Sequence, residues 1–199
     1  MSRRKKRSRR SKKKVGLKKL YTLIAPKYFN EVELGFTPAK DPEQILGRTV
    51  EITLSDITND FSVMHIKLKF KVTEVIGEKA HTEFISSNFT RDYLRSLVRR
   101  STTRVDGIFN IKTSDDYKVR VTSLVFTESR VADRHKYSIR KIMRELIEQE
   151  AANLPFSKFV QDIIYGKIAT KIYRKAKDLV PVRKAEILKT KVVKTPAAS

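Results

Sequence analysis

Met64 to Val72 alternates without a break: Met64, Ile66, Leu68, Phe70 and Val72 are apolar, and His65, Lys67, Lys69 and Lys71 are polar. A period of two puts the apolar set on one face of a strand, and burying that face requires a sheet with a second layer against it. Thr49 to Leu54 repeats the pattern with Val50, Ile52 and Leu54, and the following Ser55 to Asp60 is rich in residues that favour turns. Gly77 to Lys79 then turns the chain into Ala80 to Ile85, which completes a hairpin. The three lysines on one sheet face admit two readings, as phosphate ligands or as a solvated face that discourages edge pairing.

Asn88 to Thr127 holds a helix and a second hairpin. Thr90 reads as an N-cap, and Tyr93, Leu94, Leu97 and Val98 follow at helical spacing as the inward stripe. Arg91, Arg95 and Arg99 recur every fourth residue as a cationic row. Asp106-Gly107 reads as a turn into Ile108 to Thr113, Ser114 to Asp116 as a second turn, and Tyr117 to Thr127 as an alternating strand.

The final third reads as helical. Ser138 is placed to cap a helix with Ile139, Ile142, Met143, Leu146 and Ile147 on its face, ending near Asn153 ahead of Pro155. Phe156 to Ile164 gives a second helix ending near Gly166, and Ile168, Ile172, Ala176 and Leu179 mark a third that ends before Pro181. Val182 to Val193 reads as a strand or as a surface segment. Near the start, Lys18 to Gly35 is aromatic and apolar around Ala25-Pro26, an extended segment lying on the domain. Its Tyr21, Tyr28 and Phe29 have two readings, packing or stacking on unpaired bases, and packing is the simpler one.

Charge then narrows the partner. Lys plus Arg total 44 against 22 Asp plus Glu, a net +22 that opposes compaction unless an anion neutralises it. Ser2 to Lys14 holds ten basic residues in thirteen and no acid, so it reads as a disordered arm. A short basic run also serves as a targeting patch, but its length favours nucleic acid. No apolar run approaches the ~20 residues that span a bilayer, and no secretory signal is visible, so a non-secreted protein without a membrane partner is expected.

The chain has no cysteine, which removes disulfides, thiolate zinc sites and a cysteine nucleophile. His65, His81 and His135 share no metal-ligand spacing and read as surface residues. Asp56, Asp60, Asp115 and Asp116 fall in turn-forming clusters where aspartate serves the backbone. No cofactor, metal or catalytic residue is therefore expected, and binding fits the residues better than catalysis.

The central block carries a resemblance. Thr90-Arg91-Asp92, Ser96 to Arg100, Lys112-Thr113, Asp115, Tyr117, Arg120 and Phe126-Thr127 resemble the archaeal and eukaryotic small-ribosomal-subunit family known as eS-one, or S-three-A-e. Weaker likeness runs from Lys18 to Gly35, Gly47 to Asp60, Ile139 to Met143, Gly166 to Ile168 and Pro181 to Lys184. Asp116 departs from the glycine that many members carry there. The length suits an archaeal member.

With the strand-then-helix order, the resemblance implies an α+β fold: a curved antiparallel sheet or β-barrel-like core with a C-terminal helical part. The expected organisation is a basic arm over 1–17, one domain over 18–194 and a tail over 195–199. The resemblance also implies a structural protein of the small subunit, binding its ribosomal RNA on the platform near the messenger RNA exit, in the cytoplasm. Partners would be that RNA, neighbouring small-subunit proteins and messenger RNA. Expected RNA ligands are Arg3, Arg4, Lys5, Lys6, Arg7, Arg9, Arg10, Lys12, Lys13 and Lys14 of the arm, with Lys18, Lys19, Arg91, Arg95, Arg99, Arg100 and Arg104. A DNA-compacting protein and an RNA-processing factor remain as alternatives.

Overall fold

The computed structural model describes residues 18–195, so the arm and the last four residues lie outside it. β1 (Lys19–Ile24) and β2 (Glu33–Ala39) form an antiparallel hairpin, so the N-terminal segment belongs to the sheet rather than lying on the domain. Tyr21 and Phe29 are buried, as the packing reading requires. Tyr28 meets Phe156 edge-on, and burial pushes its phenol above the usual range.

β3 (Thr49–Thr53) runs into α1 (Leu54–Thr58), a single helical turn where the sequence suggested an irregular one. The Asp56 carboxylate accepts from the backbone N–H and the hydroxyl of Thr53, and Asn59 ends the turn at φ 56°. β4 (Ile66–Ile76) and β5 (Lys79–Phe89) form the expected hairpin. Ile66, Leu68, Phe70 and Val72 are buried, whereas Met64 precedes the strand and is exposed.

α2 (Arg91–Leu97) follows, then β6 (Arg104–Lys112) and β7 (Lys118–Thr127). Asp106-Gly107 does not turn the chain: both residues lie inside β6, opposite Leu124 and Ser123. A Cβ at Gly107 would stand 2.5 Å from the Phe109 ring and 3.3 Å from Met143 Cε, so the glycine gives clearance where a helix crosses the strand. The turn after β6 is real, with Asp116 left-handed at φ 63°.

α3 (Asp133–Asn153), α4 (Phe156–Ile164) and α5 (Lys167–Lys177) cover one sheet face. Ile139, Met143, Ile147, Phe159, Ile163, Ile168 and Ile172 meet Val105, Phe109, Ile111, Val119 and Val121 in one core. α3 begins well before Ser138, whose hydroxyl donates to the Arg134 carbonyl inside the helix. The early turn is polar and overhangs the core, so apolar periodicity could not mark it. Leu179, expected on the third helix, lies past its end and is exposed.

β8 (Val182–Lys194) completes a sheet of eight strands among the described residues. One edge of β5 pairs along its length with β4. The other edge is shared: β1 runs parallel to it at Lys79–His81, and β8 runs antiparallel at Ser86–Asn88. β7 and β6 continue beyond β8, and the sheet stays open, ending on β2, β3 and β6 rather than closing as a barrel.

Candidate nucleic-acid interface

Opposite the layer of α3, α4 and α5, the sheet is covered in part by α2. Leu97 is buried against Leu124 and Phe126, with Tyr93, Leu94 and Leu188 beside them. Leu124 and Phe126 stand opposite Glu186 and Lys184, and both of these reach Tyr93: Lys184 donates to its hydroxyl at 2.5 Å, and the hydroxyl donates to Glu186 at 3.2 Å. Burial pulls Lys184 down, but its bonds to Tyr93 and Glu186 prevail and hold it above its ordinary pKa.

His65 is not a plain surface residue. Its ring stacks on Tyr93 at 3.9 Å between centroids, and burial, aided by the nearby Lys184 charge, pushes its pKa below the usual value.

α2 is shorter than its sequence pattern. It stops at Leu97, and Val98, expected in the inward stripe, is 52% exposed. Arg99 therefore lies beyond the helix, and the expected row of three reduces to Arg91 and Arg95 on α2, with Arg99 and Arg100 on the connection to β6. All four are exposed, and none is in an ion pair with a described residue. Arg183, which the sequence did not single out, donates to the Leu97 carbonyl and lies over the Phe126 ring, closing the end of α2. Arg104 is already paired with Asp106 at 2.7 Å.

Lys18 and Lys19 are exposed but remote from these arginines. They stand at the start of β1, beside the Lys79 end of β5, whereas α2 follows the Phe89 end, about 30 Å away along an extended strand. The ten arm residues lie outside the described residues.

A second cationic group arises only through topology. Lys69 stands opposite Ser86, Ser86 opposite Lys191, Lys191 opposite Arg120, and Arg120 opposite Asn110. Alongside runs Lys67, Asn88, Lys189 and Thr122. Directly opposite residues of antiparallel strands share a face, so five strands present these side chains together, next to α2. The lysines border a shallow groove of about 400 Å³ that also includes Thr49 and Glu51. Lys67 is paired with Glu51 at 3.2 Å, and Lys69, Lys189 and Lys191 have no ion pair with a described residue. The alternation Lys189, Lys191 against Thr190 and Val192 was visible in the sequence, but nothing local placed that strand beside β5.

Most of the turn aspartates serve the backbone, and Asp116 meets a lysine instead. Asp60 accepts from the Ser62 N–H, Asp115 accepts from the Phe156 N–H at 2.9 Å, and Asp116 pairs with Lys112. Among the described residues no group of three or more His, Cys, Asp or Glu could hold a metal ion, and no helix is long and apolar enough to cross a membrane.

Comparison with known proteins places the chain. It is 45% identical over 196 residues to the small ribosomal subunit protein eS1 of Archaeoglobus fulgidus, covering 98% of this chain and 93% of that protein. It is also 45% identical over 185 residues to the protein of the same name from Saccharolobus islandicus, covering 93% and 89%. Residues 6–196 match the pattern of one family, and the chain belongs to it: the ribosomal S3Ae family.

Proposed function

We propose that the chain is a structural, non-catalytic constituent of the small ribosomal subunit that binds small-subunit ribosomal RNA, and so acts in the cytoplasm in translation. The observation that carries this reading is that two cationic groups without an ion pair to a described residue, Arg91, Arg95, Arg99 and Arg100 around α2 and Lys69, Lys189 and Lys191 of β4 and β8, lie on one side of the sheet. Phosphate contacts from such groups give affinity, and the shape of a folded RNA gives placement. The relatives' shared name, small ribosomal subunit protein, makes ribosomal RNA the first choice of polyanion.

The finer placement, on the platform near the messenger RNA exit with neighbouring small-subunit proteins against it, belongs to the same proposal. So does the organisation as one domain over 18–194 between the basic arm and a short tail. Extended, the thirteen residues Ser2 to Lys14 reach at most ~45 Å, enough to contact RNA beyond the domain, messenger RNA included. Sedimentation of a native extract tests the reading. The protein is expected to cofractionate with small subunits; a free protein, or one that follows the chromosome instead, defeats the proposal and favours DNA compaction.

A further inference from the structure

We infer that the open sheet face holds the sugar–phosphate backbone of an RNA duplex, with Lys67, Lys69, Lys189 and Lys191 as its floor and α2 as its wall. This deepens the proposed RNA binding by naming the form of RNA and the residues that take it.

Ser86 lies between Lys69 and Lys191, and Asn88 between Lys67 and Lys189. With strands about 4.8 Å apart and side chains on one face about 7 Å apart along a strand, four ammonium groups share a patch of roughly 10 by 7 Å. Lys191 stands directly opposite Arg120, and like charges so placed destabilise a sheet. Glu51 offsets only Lys67, at 3.2 Å. The patch is therefore a cost in the free protein that a polyanion removes. It continues into Arg120, whose guanidinium is fixed by donating to Asn110 at 2.8 Å.

The same patch excludes one class of RNA ligand. Readers of single strands stack unpaired bases on aromatic rings, and no aromatic side chain lines this groove. The rings of the N-terminal segment are committed to the core at Tyr21 and Phe29, and Tyr93 is covered by His65. Between the cations stand the short polar side chains of Ser86 and Asn88, with Thr122 beside Lys189 and Ile85 the one apolar residue that also lines the groove. Hydroxyl and amide groups flanked by ammonium groups match phosphate oxygens and 2′-hydroxyls, which an RNA duplex displays across its shallow groove.

The experiment uses the full chain with Lys67, Lys69, Lys189 and Lys191 changed to Gln. A control removes the same charge from the helical layer: Lys141, Arg144, Lys167 and Lys171 to Gln. Each protein is titrated over a range of salt with a short RNA duplex, with an unstructured single strand of equal length, and with a polyglutamate competitor. The wild type should prefer duplex. With about 0.9 of slope per phosphate contact, the groove variant should lose 3 to 4 from the slope of log affinity against log salt, and the control should lose little. If the fourfold variant melts without cooperativity, the pair Lys69→Gln and Lys191→Gln should still lose about 2. An unchanged slope, an equal loss in the control, tighter binding to the single strand, or equal competition by polyglutamate overturns the site. A wild-type chain that cosediments with small subunits while the groove variant keeps its slope refutes this site alone, whereas a wild type absent from subunits refutes the function beneath it.

Discussion

Lys184 donates to the hydroxyl of Tyr93 across 91 residues of chain, and this contact latches α2 onto β8. The helix has seven residues, too few to hold its shape alone, so its position depends on that latch and on the burial of Leu97. The arginines around α2 face outward only while the helix stays docked, which links a half-buried polar contact to the binding surface.

Replacing Tyr93 by Phe keeps the ring against His65 and removes both hydroxyl bonds, while Lys184 retains Glu186 at 3.0 Å. The expected loss is about 1 kcal/mol, seen as a lower denaturation midpoint with an unchanged slope. Tyr93→Ala also loses the packing and should cost about 3 kcal/mol.

Gly107→Ala tests the close crossing of α3 over β6. The added methyl must displace the Phe109 ring, 2.5 Å away, in a well-packed core, so about 1 to 3 kcal/mol should be lost. Phe109→Leu on the same background should cost less than the sum of the single changes, because the shorter side chain removes the clash. Strict additivity by thermal melts would place the cost elsewhere.

Asp115 is expected to matter through α4. Its carboxylate accepts from the Phe156 N–H at the first turn of that helix, and the Ser114 hydroxyl donates to the Leu154 carbonyl, so the β6–β7 turn holds the α3–α4 junction. Asp115→Ala should cost about 1 kcal/mol and Asp115→Asn less, since the amide keeps an acceptor. RNA binding should not change; a variant of full stability would remove the capping role.

These contacts show what the sequence carried and what it lacked. Periodicity alone identified β4, β7 and the buried faces of α3, α4 and α5, because each is a local pattern that packing obeyed. Asp106-Gly107 misled because glycine there answers a helix from another part of the chain, and local turn chemistry cannot distinguish the two causes. Val98 and Arg99 continued a helical spacing that the backbone abandons at Leu97, where Arg183 from β8 takes the last carbonyl. The lysine patch was hidden for the same reason: Lys69 and Lys191 meet only because β8 returns to pair with β5.

His65 gives the protein a pH dependence of known sign. Its folded pKa lies below the ordinary histidine value of about 6.5, with burial as the first cause, so the unfolded chain binds the proton more readily. The stabilisation from neutral His65 is complete above about pH 6.5 and is lost as pH falls from there to the folded pKa. His65→Phe, which keeps the stack, should therefore show a flatter stability profile between pH 7 and 5 than the wild type. Parallel profiles from denaturant titrations at each pH would remove His65 as the cause.

The arginines around α2 separate into two kinds. Arg91 and Arg95 form a like-charge pair at i and i+4, which costs a helix roughly 0.2 to 0.5 kcal/mol, and Arg99 stands beyond the helix on the exposed connection. Arg183, by contrast, is engaged by the Leu97 carbonyl and the Phe126 ring. Changing Arg91, Arg95 and Arg99 to Gln should leave the free protein as stable as before or slightly more so, while weakening its incorporation into small subunits and its affinity for RNA at low salt. Arg183→Gln should do the reverse, lowering the melting temperature first and affecting RNA binding only through displacement of α2. If the triple variant loses its cooperative melt while Arg183→Gln does not, the outward arginines are structural, and the side of the molecule assigned to RNA carries one cationic group rather than two.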